Sequence, residues 1–291
     1  MKKILVIGST GQLGTDLSRV NAERPNPFEI LCVDRSGIDL RQTDLIAEAL
    51  SSVTCDAVIY CASFNRVDAA EDDPREAFLV NAYAAAEVAR VCNKKKSRMI
   101  YVSSDYVFDG KKSHPYQEDD PPAPINLYGV SKLDGEAFCR NTTADTLIFR
   151  TASLFGTRGS TSKGTNFVET ILAACKKNGT ARVVNDITMS PTGTADLAKL
   201  ILNSLESGAP AGIYHAVDSG QATWFEFARE IIKQTKTAAD LIPVPSAEYP
   251  TKAKRPPFSV LDNSKLSDLV GPIPHWKEAL ARYLKEKGHL N

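Results

Sequence analysis

The sequence of 291 residues contains no apolar run approaching the roughly 20 residues of a membrane span. Neither sign of charge is in excess, because Lys and Arg number 35 and Asp and Glu also number 35. We therefore expect neither nucleic acid nor membrane as a partner. The apolar run Ile4–Ile7 is too short for a signal peptide, so we predict a cytoplasmic protein.

Cysteine and histidine are few and scattered. The six cysteines form no C-x-x-C pair, and none is spaced with a histidine as a metal site requires. Several cysteines lie in apolar segments, as small buried thiols do. We predict reduced cysteines, no metal, and no catalytic role for the four histidines.

The chain begins with a nucleotide-binding pattern. A strand ending at Ile7 runs directly into G-x-x-G-x-x-G, and helical sequence follows. Glycines in this context permit a tight turn and close approach of a pyrophosphate to a helix N-terminus. This context favours a dinucleotide site over a plain glycine-rich turn. The predicted contacts of NADH or NADPH are Gly8, Thr10, Gly11, Gln12, Leu13 and Gly14.

The end of the second strand carries signals for both forms of the cofactor. Asp34 follows the glycine motif by 20 residues, where an acid can accept from the adenosine ribose. Arg35 and Ser36 suit a 2′-phosphate, so the residues leave NAD and NADP open. Asp39 and Leu40 complete this part of the predicted cofactor site.

Short, nearly all-apolar strands recur between helical segments. They are Ile30–Val33, Ala57–Tyr60, Met99–Val102 and Leu147–Phe149. Parallel strands buried on both faces have this composition. The pattern predicts an α/β fold with a doubly wound, Rossmann-type parallel sheet and ligands over the strands' carboxyl ends. Cys61, Ala62 and Ser63 follow one such strand, and we predict that these small residues lie against the cofactor.

The stretch from Ser103 to Lys132 carries the candidate chemistry. Tyr128 and Lys132 are four residues apart, so a helix places them on one face. The ammonium is expected to lower the pKa of the tyrosine, while a hydroxyl from Ser103 or Ser104 polarises a carbonyl. Such a trio suits carbonyl reduction with Tyr128 as proton donor. A Tyr–Lys pair alone is more often a core aromatic beside a solvated charge, but the strand-end serines and the glycine motif favour catalysis.

After Arg150 the alternation of apolar strands and helical segments becomes less regular. We expect a dinucleotide-binding domain of residues 1–152, rejoined by residues from about 190 to 218. Residues 153–189 and 219–291 then form a smaller C-terminal substrate lobe. This lobe includes a Gly/Ser/Thr-rich loop at 157–165 and a proline-rich loop at 243–257.

Several longer motifs carry a family resemblance. They are G-S-T-G-Q-L-G at 8–14, S-S-D-Y-V-F-D-G at 103–110, Y-G-V-S-K at 128–132 and R-P-P-F-S-V-L-D at 255–262. With them the chain resembles, nearly end to end, the dTDP-4-dehydrorhamnose reductase family of the extended short-chain dehydrogenase/reductase superfamily. Y-x-x-x-K is common to the superfamily, whereas D-Y-V-F-D-G and R-P-x-x-S-x-L-D are far more specific to the family.

The resemblance implies reduction of the 4-keto group of a nucleotide-linked 6-deoxyhexose by NADH or NADPH, the last step of dTDP-L-rhamnose synthesis. It matches Ser104, Tyr128 and Lys132 to the catalytic residues, and the last two also to cofactor contacts. The positions implied for substrate are Val67, Ser104, Asp105, Tyr106, Asn166 and Arg255.

Some family members bind a metal with acidic residues at a dimer contact. Asp16 matches one such position, but the full set is missing, so no metal is predicted. The sequence does not decide whether the chain forms a homodimer.

The chain departs from the family pattern in the substrate lobe. Where the family usually reads R-T-S-W, Ser153 stands in place of the aromatic residue. Where it reads N-D-Q-x-G-x-P-T, Ile187 and Met189 replace the Gln and the Gly. Because of these changes, the sequence does not decide which sugar and which nucleotide the substrate contains.

Two other functions fit the same pattern. The regulatory β subunit of methionine adenosyltransferase is similar in fold and motifs, but a docking subunit has no need of an intact Ser–Tyr–Lys set. A nucleotide-sugar epimerase or dehydratase keeps the Tyr and Lys. Dehydratases typically add an acidic pair after the strand-end hydroxyl, and only Asp105 is present here.

Overall fold

The computed structural model describes residues 2–159 and 164–290, so part of the predicted loop at 157–165 lies outside the described residues. The strands are β1 (Lys3–Ile7), β2 (Glu29–Val33), β3 (Ala57–Tyr60), β4 (Arg98–Ser104), β5 (Thr146–Thr151), β6 (Leu154–Phe155), β7 (Thr180–Val184), β8 (Thr188–Met189), β9 (Thr192–Gly193), β10 (Gly212–His215), β11 (Ala222–Thr223) and β12 (Asp240–Val244). The α-helices are α1 (Gln12–Ala22), α2 (Ile46–Ala49), α3 (Val67–Asp72), α4 (Arg75–Phe78), α5 (Ala84–Lys95), α6 (Leu127–Thr142), α7 (Phe167–Asn178), α8 (Thr194–Glu206), α9 (Trp224–Thr235), α10 (Ser264–Val270) and α11 (Trp276–Glu286).

Six strands form one parallel sheet in the order β10-β5-β4-β3-β1-β2. The predicted doubly wound α/β sheet is thereby confirmed, and β10 returns to it beside β5. The chain order reverses between β1 and β3, the place where such sheets bind ligands. Successive residues of β1 face opposite helix layers: Ile4 packs in the cluster of Leu17 and Leu197, and Leu5 in that of Val88. Burial on both faces explains the nearly all-apolar strands.

The segment before β4 is more elaborate than its sequence indicates. Helix α3 precedes Pro74, and Leu79–Tyr83 forms a π-helical turn between α4 and α5. Asn81 lies in that turn and is fully buried. π-Turns inside helices are frequent at functional sites.

The remaining short strands pair outside the main sheet, as β12 with β7, β8 with β11 and β6 with β9. An aromatic cluster around Phe155, Phe227 and Trp276 holds α9 and α11 beside them. Met189 is 1 % exposed within this cluster. Among the described helices, none is long and apolar enough to cross a membrane.

Candidate active site

The end of β4 supplies the first polar groups. Ser104 is its last residue and caps the 3₁₀ turn Asp105–Val107, accepting from the Tyr106 backbone N–H at 3.2 Å. Ser104 Oγ also donates to Asp105 Oδ1 at 2.9 Å. Because β4 is a buried parallel strand, these groups lie at the carboxyl edge of the sheet.

Helix α6 brings Tyr128 and Lys132 to this edge. Asn126 caps the helix by accepting from the Gly129 backbone N–H at 2.8 Å. A Cβ at position 129 would overlap the carbonyl oxygen of Tyr106, so glycine lets α6 lie directly against the turn after β4. This close packing sets the first turn of α6 beside the strand end.

The hydroxyls of Ser104 and Ser63 lie near that of Tyr128 and favour its ionised form. Lys132 is 1 % exposed, and its Nζ donates to the carbonyl oxygen of Val102 at 2.5 Å. The three residues assigned to catalysis therefore lie together, and Ser63 joins them from the loop after β3.

The pKa values differ from the sequence prediction. Burial raises the pKa of Tyr128 to about 12, and the hydroxyls of Ser104 and Ser63 oppose this only in part. Burial also lowers the pKa of Lys132 to about 7. The predicted lowering of the Tyr128 pKa is wrong for this geometry, because burial disfavours the phenolate and Lys132 is not among the groups that shift this pKa. Tyr128 thus holds its proton at neutral pH, as a proton donor must.

Asp105 is buried and Tyr106 is partly buried beside the ring of Tyr128. Burial raises the pKa of Asp105 to about 6, against hydrogen bonds from Ser259 and Ser104. Burial and the charge of Asp105 together raise the pKa of Tyr106 well above its usual value. Tyr106 is therefore a neutral aromatic at working pH.

The glycine motif forms a cradle between β1 and α1. Gly8 has φ +91°, and a Cβ there would lie 2.7 Å from the backbone nitrogen of Ala62. A Cβ on Gly14 would overlap the carbonyl oxygen of Gly8. Helix α1 starts at Gln12, and its N-cap Gly11 makes no side-chain cap hydrogen bond. Free N–H groups in a concavity without Cβ atoms fit a pyrophosphate.

The other predicted residues of the glycine motif differ in exposure. Thr10 is exposed, whereas Leu13 is 5 % exposed in the core, so only its backbone is available to a ligand. Within the described residues, Gln12 Oε1 is buried without a hydrogen-bond partner. Leu40 packs against the core on the α5 side of the sheet.

The end of β2 presents a carboxylate and a guanidinium to solvent. Asp34 Oδ1 accepts from the backbone N–H of Ser36 at 2.9 Å and from its hydroxyl at 2.6 Å, and these bonds lower the pKa of Asp34. Arg35 is exposed. Asp39 pairs with Arg41 at 2.6 Å, and that hydrogen bond holds its pKa well below the usual range.

The loop after β3 is held by the buried Asn81. Asn81 Oδ1 accepts from Ser63 Oγ at 3.1 Å, and its Nδ2 donates to Ser131 Oγ at 2.9 Å, linking this loop to α6. Cys61 Sγ donates to the carbonyl oxygen of Ile7 at 3.2 Å. Burial raises the pKa of Cys61 to about 12, so it is a neutral thiol.

Arg255 approaches the site from the proline-rich loop. Its Nη2 donates to Asp68 Oδ2 at 2.7 Å, and Asp68 follows Val67 at the start of α3. Arg255 Cζ lies 5.9 Å from the centre of the Tyr106 ring. In the described part of the chain, Arg255 Nη1 is buried without a hydrogen-bond partner.

Asn166 serves as the N-cap of α7. Its Nδ2 donates to the carbonyl oxygen of Gly156 and to the Tyr283 hydroxyl, both at 3.0 Å, and its Oδ1 accepts from the Glu169 backbone N–H. Both amide hydrogens are used, so substrate contact by this side chain stays a prediction.

A buried ion pair was not foreseen from the sequence. Glu136 on α6 is bidentate to Arg150 on β5, with Oε1–Nε at 2.9 Å and Oε2–Nη2 at 2.7 Å. Ser103 Oγ donates to Glu136 Oε1 at 2.5 Å. Glu136 lies four residues after Lys132, and that spacing is the one signal that could have indicated it.

Asp16, matched to a metal ligand by resemblance, is engaged within the chain. Its carboxylate accepts from Arg19 at 2.9 Å and from the hydroxyl of Thr194. In residues 2–159 and 164–290, no three acidic, His or Cys side chains are grouped as a metal site requires.

The doubly wound sheet, the glycine cradle at its switch point and the adjoining Ser–Tyr–Lys set define a nicotinamide-dependent oxidoreductase of the extended short-chain dehydrogenase/reductase class. More narrowly, the chain belongs to the RmlD substrate binding domain family, whose model matches residues 1–288.

Individual relatives are similar over nearly their whole length. The spore coat polysaccharide biosynthesis protein SpsK of Bacillus subtilis is 35% identical, over 99% of this chain and 98% of the relative. The dTDP-4-dehydrorhamnose reductase of Escherichia coli is 34% identical, over 97% of both chains. The crystal structure of dTDP-4-dehydrorhamnose reductase from Bacillus anthracis in complex with NADP superposes with a TM-score of 0.91 at 31% identity, covering 98% of this chain and 99% of that one.

Proposed function

We propose that this chain uses NADPH or NADH to reduce the 4-keto group of a nucleotide-linked deoxysugar, most simply dTDP-4-dehydro-L-rhamnose. The observation that carries the proposal is the meeting of Ser104, at the end of β4, with Tyr128 and the buried Lys132 of α6, next to the glycine cradle. The relatives named dTDP-4-dehydrorhamnose reductase, one of them bound to NADP, support it.

The cradle residues fit a dinucleotide, since Gly8 and Gly14 leave no room for a Cβ. The bound cofactor supplies a hydride. We assign its pyrophosphate to the N-terminus of α1, its adenosine ribose to Asp34 and its nicotinamide ribose to Lys132. Arg35 is placed to meet a 2′-phosphate, so use of both cofactors is expected.

Tyr128 donates the proton that the reduced carbonyl oxygen needs. It is protonated at neutral pH, because burial raises its pKa to about 12. Ser104 Oγ donates a hydrogen bond to the same oxygen, which stabilises the negative charge that develops there. The ammonium of Lys132 favours loss of the Tyr128 proton at the moment of transfer.

Arg255 is the proposed partner of the substrate diphosphate. Its Nη2 is held by Asp68, while the buried Nη1 keeps its donors free, and a guanidinium suits phosphate oxygens. Val67, Asp105 and Tyr106 are assigned to the sugar. Asn166 contributes through the start of α7.

Substrate preference rests on Ser153 and Ile187. An aromatic wall replaced by Ser153 forfeits a stacking contribution of about 0.5–1.5 kcal/mol, close to tenfold in affinity. Ile187 is partly exposed and can pack on a less hydroxylated sugar, whereas Met189 is buried in the aromatic cluster and cannot. We therefore expect weak activity on the rhamnose precursor or preference for another deoxysugar.

Three further proposals concern location, assembly and domains. We propose a cytoplasmic protein that assembles as a homodimer, which sedimentation of the purified chain would test. We also keep the division into a dinucleotide-binding domain (1–152 with about 190–218) and a substrate lobe (153–189 and 219–291).

The decisive experiment incubates the purified chain with NADPH or NADH and a panel of nucleotide-linked 4-keto sugars, following loss of the absorbance of the reduced cofactor. We expect oxidation with at least one sugar, lost in Tyr128→Phe. No oxidation with any sugar, despite measurable cofactor binding, would reject the reductase and favour the docking subunit.

A further inference from the structure

We infer that Glu136 is a positioning residue that keeps Lys132 in its ammonium form, by holding a buried negative charge one helical turn away. The effect of Glu136 on the charge of Lys132 depends only on residues of this chain. Its consequence for catalysis rests on the proposed function, in which Lys132 holds the nicotinamide ribose.

Among the residues that the structure describes, Lys132 has no charged hydrogen-bond partner to offset its burial. Its Nζ donates to the neutral carbonyl of Val102 at 2.5 Å and lies 4.3 Å from the centre of the Tyr101 ring. The side chain is 1 % exposed. A buried ammonium is costly unless a negative charge lies near, and otherwise loses its proton.

Glu136 provides that charge. It is 2 % exposed and follows Lys132 by one turn on the same face of α6. Its Oε1 accepts from Ser103 Oγ at 2.5 Å, and Ser103 directly follows Val102 on β4. Consecutive residues of one strand therefore fix the ammonium and the carboxylate close to each other.

The other titratable groups around Lys132 are neutral at working pH. Cys139 on α6 and Tyr101 on β4 are fully buried and Cys61 after β3 is partly buried, and desolvation raises the pKa of each far above 7. Glu136 exerts the largest charge effect on Lys132 and opposes the lowering of its pKa, and with that effect included burial still brings the pKa to about 7. When the pH is close to this pKa, a modest change in the electrostatic effect of nearby charges decides whether Lys132 is protonated.

The carboxylate of Glu136 contacts a buried cation, Arg150. Its bidentate contact keeps Glu136 in place, and its own charge tempers the attraction to Lys132. The carboxylate therefore has one buried cation bound directly, Arg150, and a second, Lys132, one helical turn before it on α6. If the Glu136–Arg150 ion pair were purely structural, it would stabilise this edge of the sheet and leave the pKa of Lys132 unchanged.

The test is the titration of Lys132 in the chain without cofactor. ¹³C-labelled lysine followed by NMR gives the midpoint, with the signal assigned by its absence in Lys132→Met. In Glu136→Gln, which retains the shape of the side chain, we expect the midpoint to fall by about one pH unit. Glu136→Asp keeps the charge and should restore most of the shift. Ser103→Ala is the matched control, since it removes a hydrogen bond to Glu136 and no charge, and its midpoint should stay near that of the parent chain.

A second variant guards against misfolding. Replacing both partners, as Glu136→Leu with Arg150→Leu, removes the pair without leaving a buried charge alone and is often tolerated. It should also lower the midpoint. The inference is overturned if the midpoint is unchanged or rises in both the single Gln variant and this double variant. As the pH rises, the affinity for NADPH, measured by fluorescence, should begin to fall at a lower pH in Glu136→Gln than in the parent chain. Neither the NMR titration nor this binding measurement needs a sugar, so the test remains valid even if the proposed reductase activity fails.

Discussion

The ring of Tyr106 meets the ring of Tyr128 edge to face, with centroids 5.8 Å apart and planes inclined at 81°. Tyr106 belongs to the turn after β4 and Tyr128 to the first turn of α6, so this contact joins the strand end to the catalytic helix. Edge-to-face pairs of this kind contribute about 0.5–1.5 kcal/mol beyond their buried area. The contact involves the rings and not the Tyr128 hydroxyl.

Tyr128→Phe therefore removes the proton donor and keeps the ring packing. We expect turnover to fall on the order of 10²–10⁴-fold, the usual range for loss of a general acid, with cofactor affinity nearly unchanged. Steady-state kinetics and NADPH fluorescence titration measure the two effects. Tyr83→Phe is the control, because Tyr83 is 51% exposed and lies outside the proposed site. Equal turnover in the parent and Tyr128→Phe would remove Tyr128 from the mechanism.

Gly14→Ala should damage the cofactor cradle and the fold together. The new Cβ would overlap the carbonyl oxygen of Gly8, forcing α1 away from β1. We expect a loss of about 1–3 kcal/mol in the free energy of unfolding and weaker NADPH binding. Gly11→Ala is the matched comparison, since its Cβ would lie 3.3 Å from the same oxygen. Urea unfolding and fluorescence titration that rank the two variants equally would contradict this account.

Asp34→Ala should change the balance between the two cofactors. The ionised carboxylate suits the ribose hydroxyls of NADH and repels a 2′-phosphate, so its removal should shift the ratio of kcat/KM towards NADPH on the order of tenfold. Arg35→Ala should shift the ratio in the opposite direction. An unchanged ratio in Asp34→Ala would show that Asp34 does not contact the ribose.

His215 should make the fold sensitive to acid. It is fully buried, and burial lowers its pKa to about 3, from an ordinary value of 6.5. The unfolded chain therefore binds a proton below pH 6.5 that the folded chain does not take up until about pH 3. Stability from this group is complete above pH 6.5 and falls as the pH drops from there towards 3, by at most about 1.4 kcal/mol per pH unit.

Urea unfolding between pH 4.5 and 7.5 on the parent and His215→Gln isolates this term, because the carboxylates common to both chains cancel in the comparison. The parent should lose more stability on acidification than the variant. Curves that stay parallel would assign the acid sensitivity to other groups.

Features encoded within a short stretch of chain were predicted from the sequence. The bounds of β3 and the glycine turn before α1 follow from apolar runs and from steric limits that act between near neighbours. The Tyr–Lys spacing follows from the period of a helix. Predictions became weaker where backbone geometry departs from the regular pattern, as in the π-turn at Leu79–Tyr83. Met189, one of the departures from the family pattern in the substrate lobe, lies in the aromatic cluster, which its sequence position did not indicate.

By itself, then, the sequence predicted the class of fold, the glycine cradle and the Tyr–Lys pair, because each depends on residues close together in the chain. Only the tertiary structure decided the partners and the proton affinities. Asp68 meets Arg255, and Glu136 meets Arg150, because separate elements pack together. The direction of the Tyr128 pKa was settled in the same way, since desolvation depends on everything that surrounds a group and not on its neighbours in sequence.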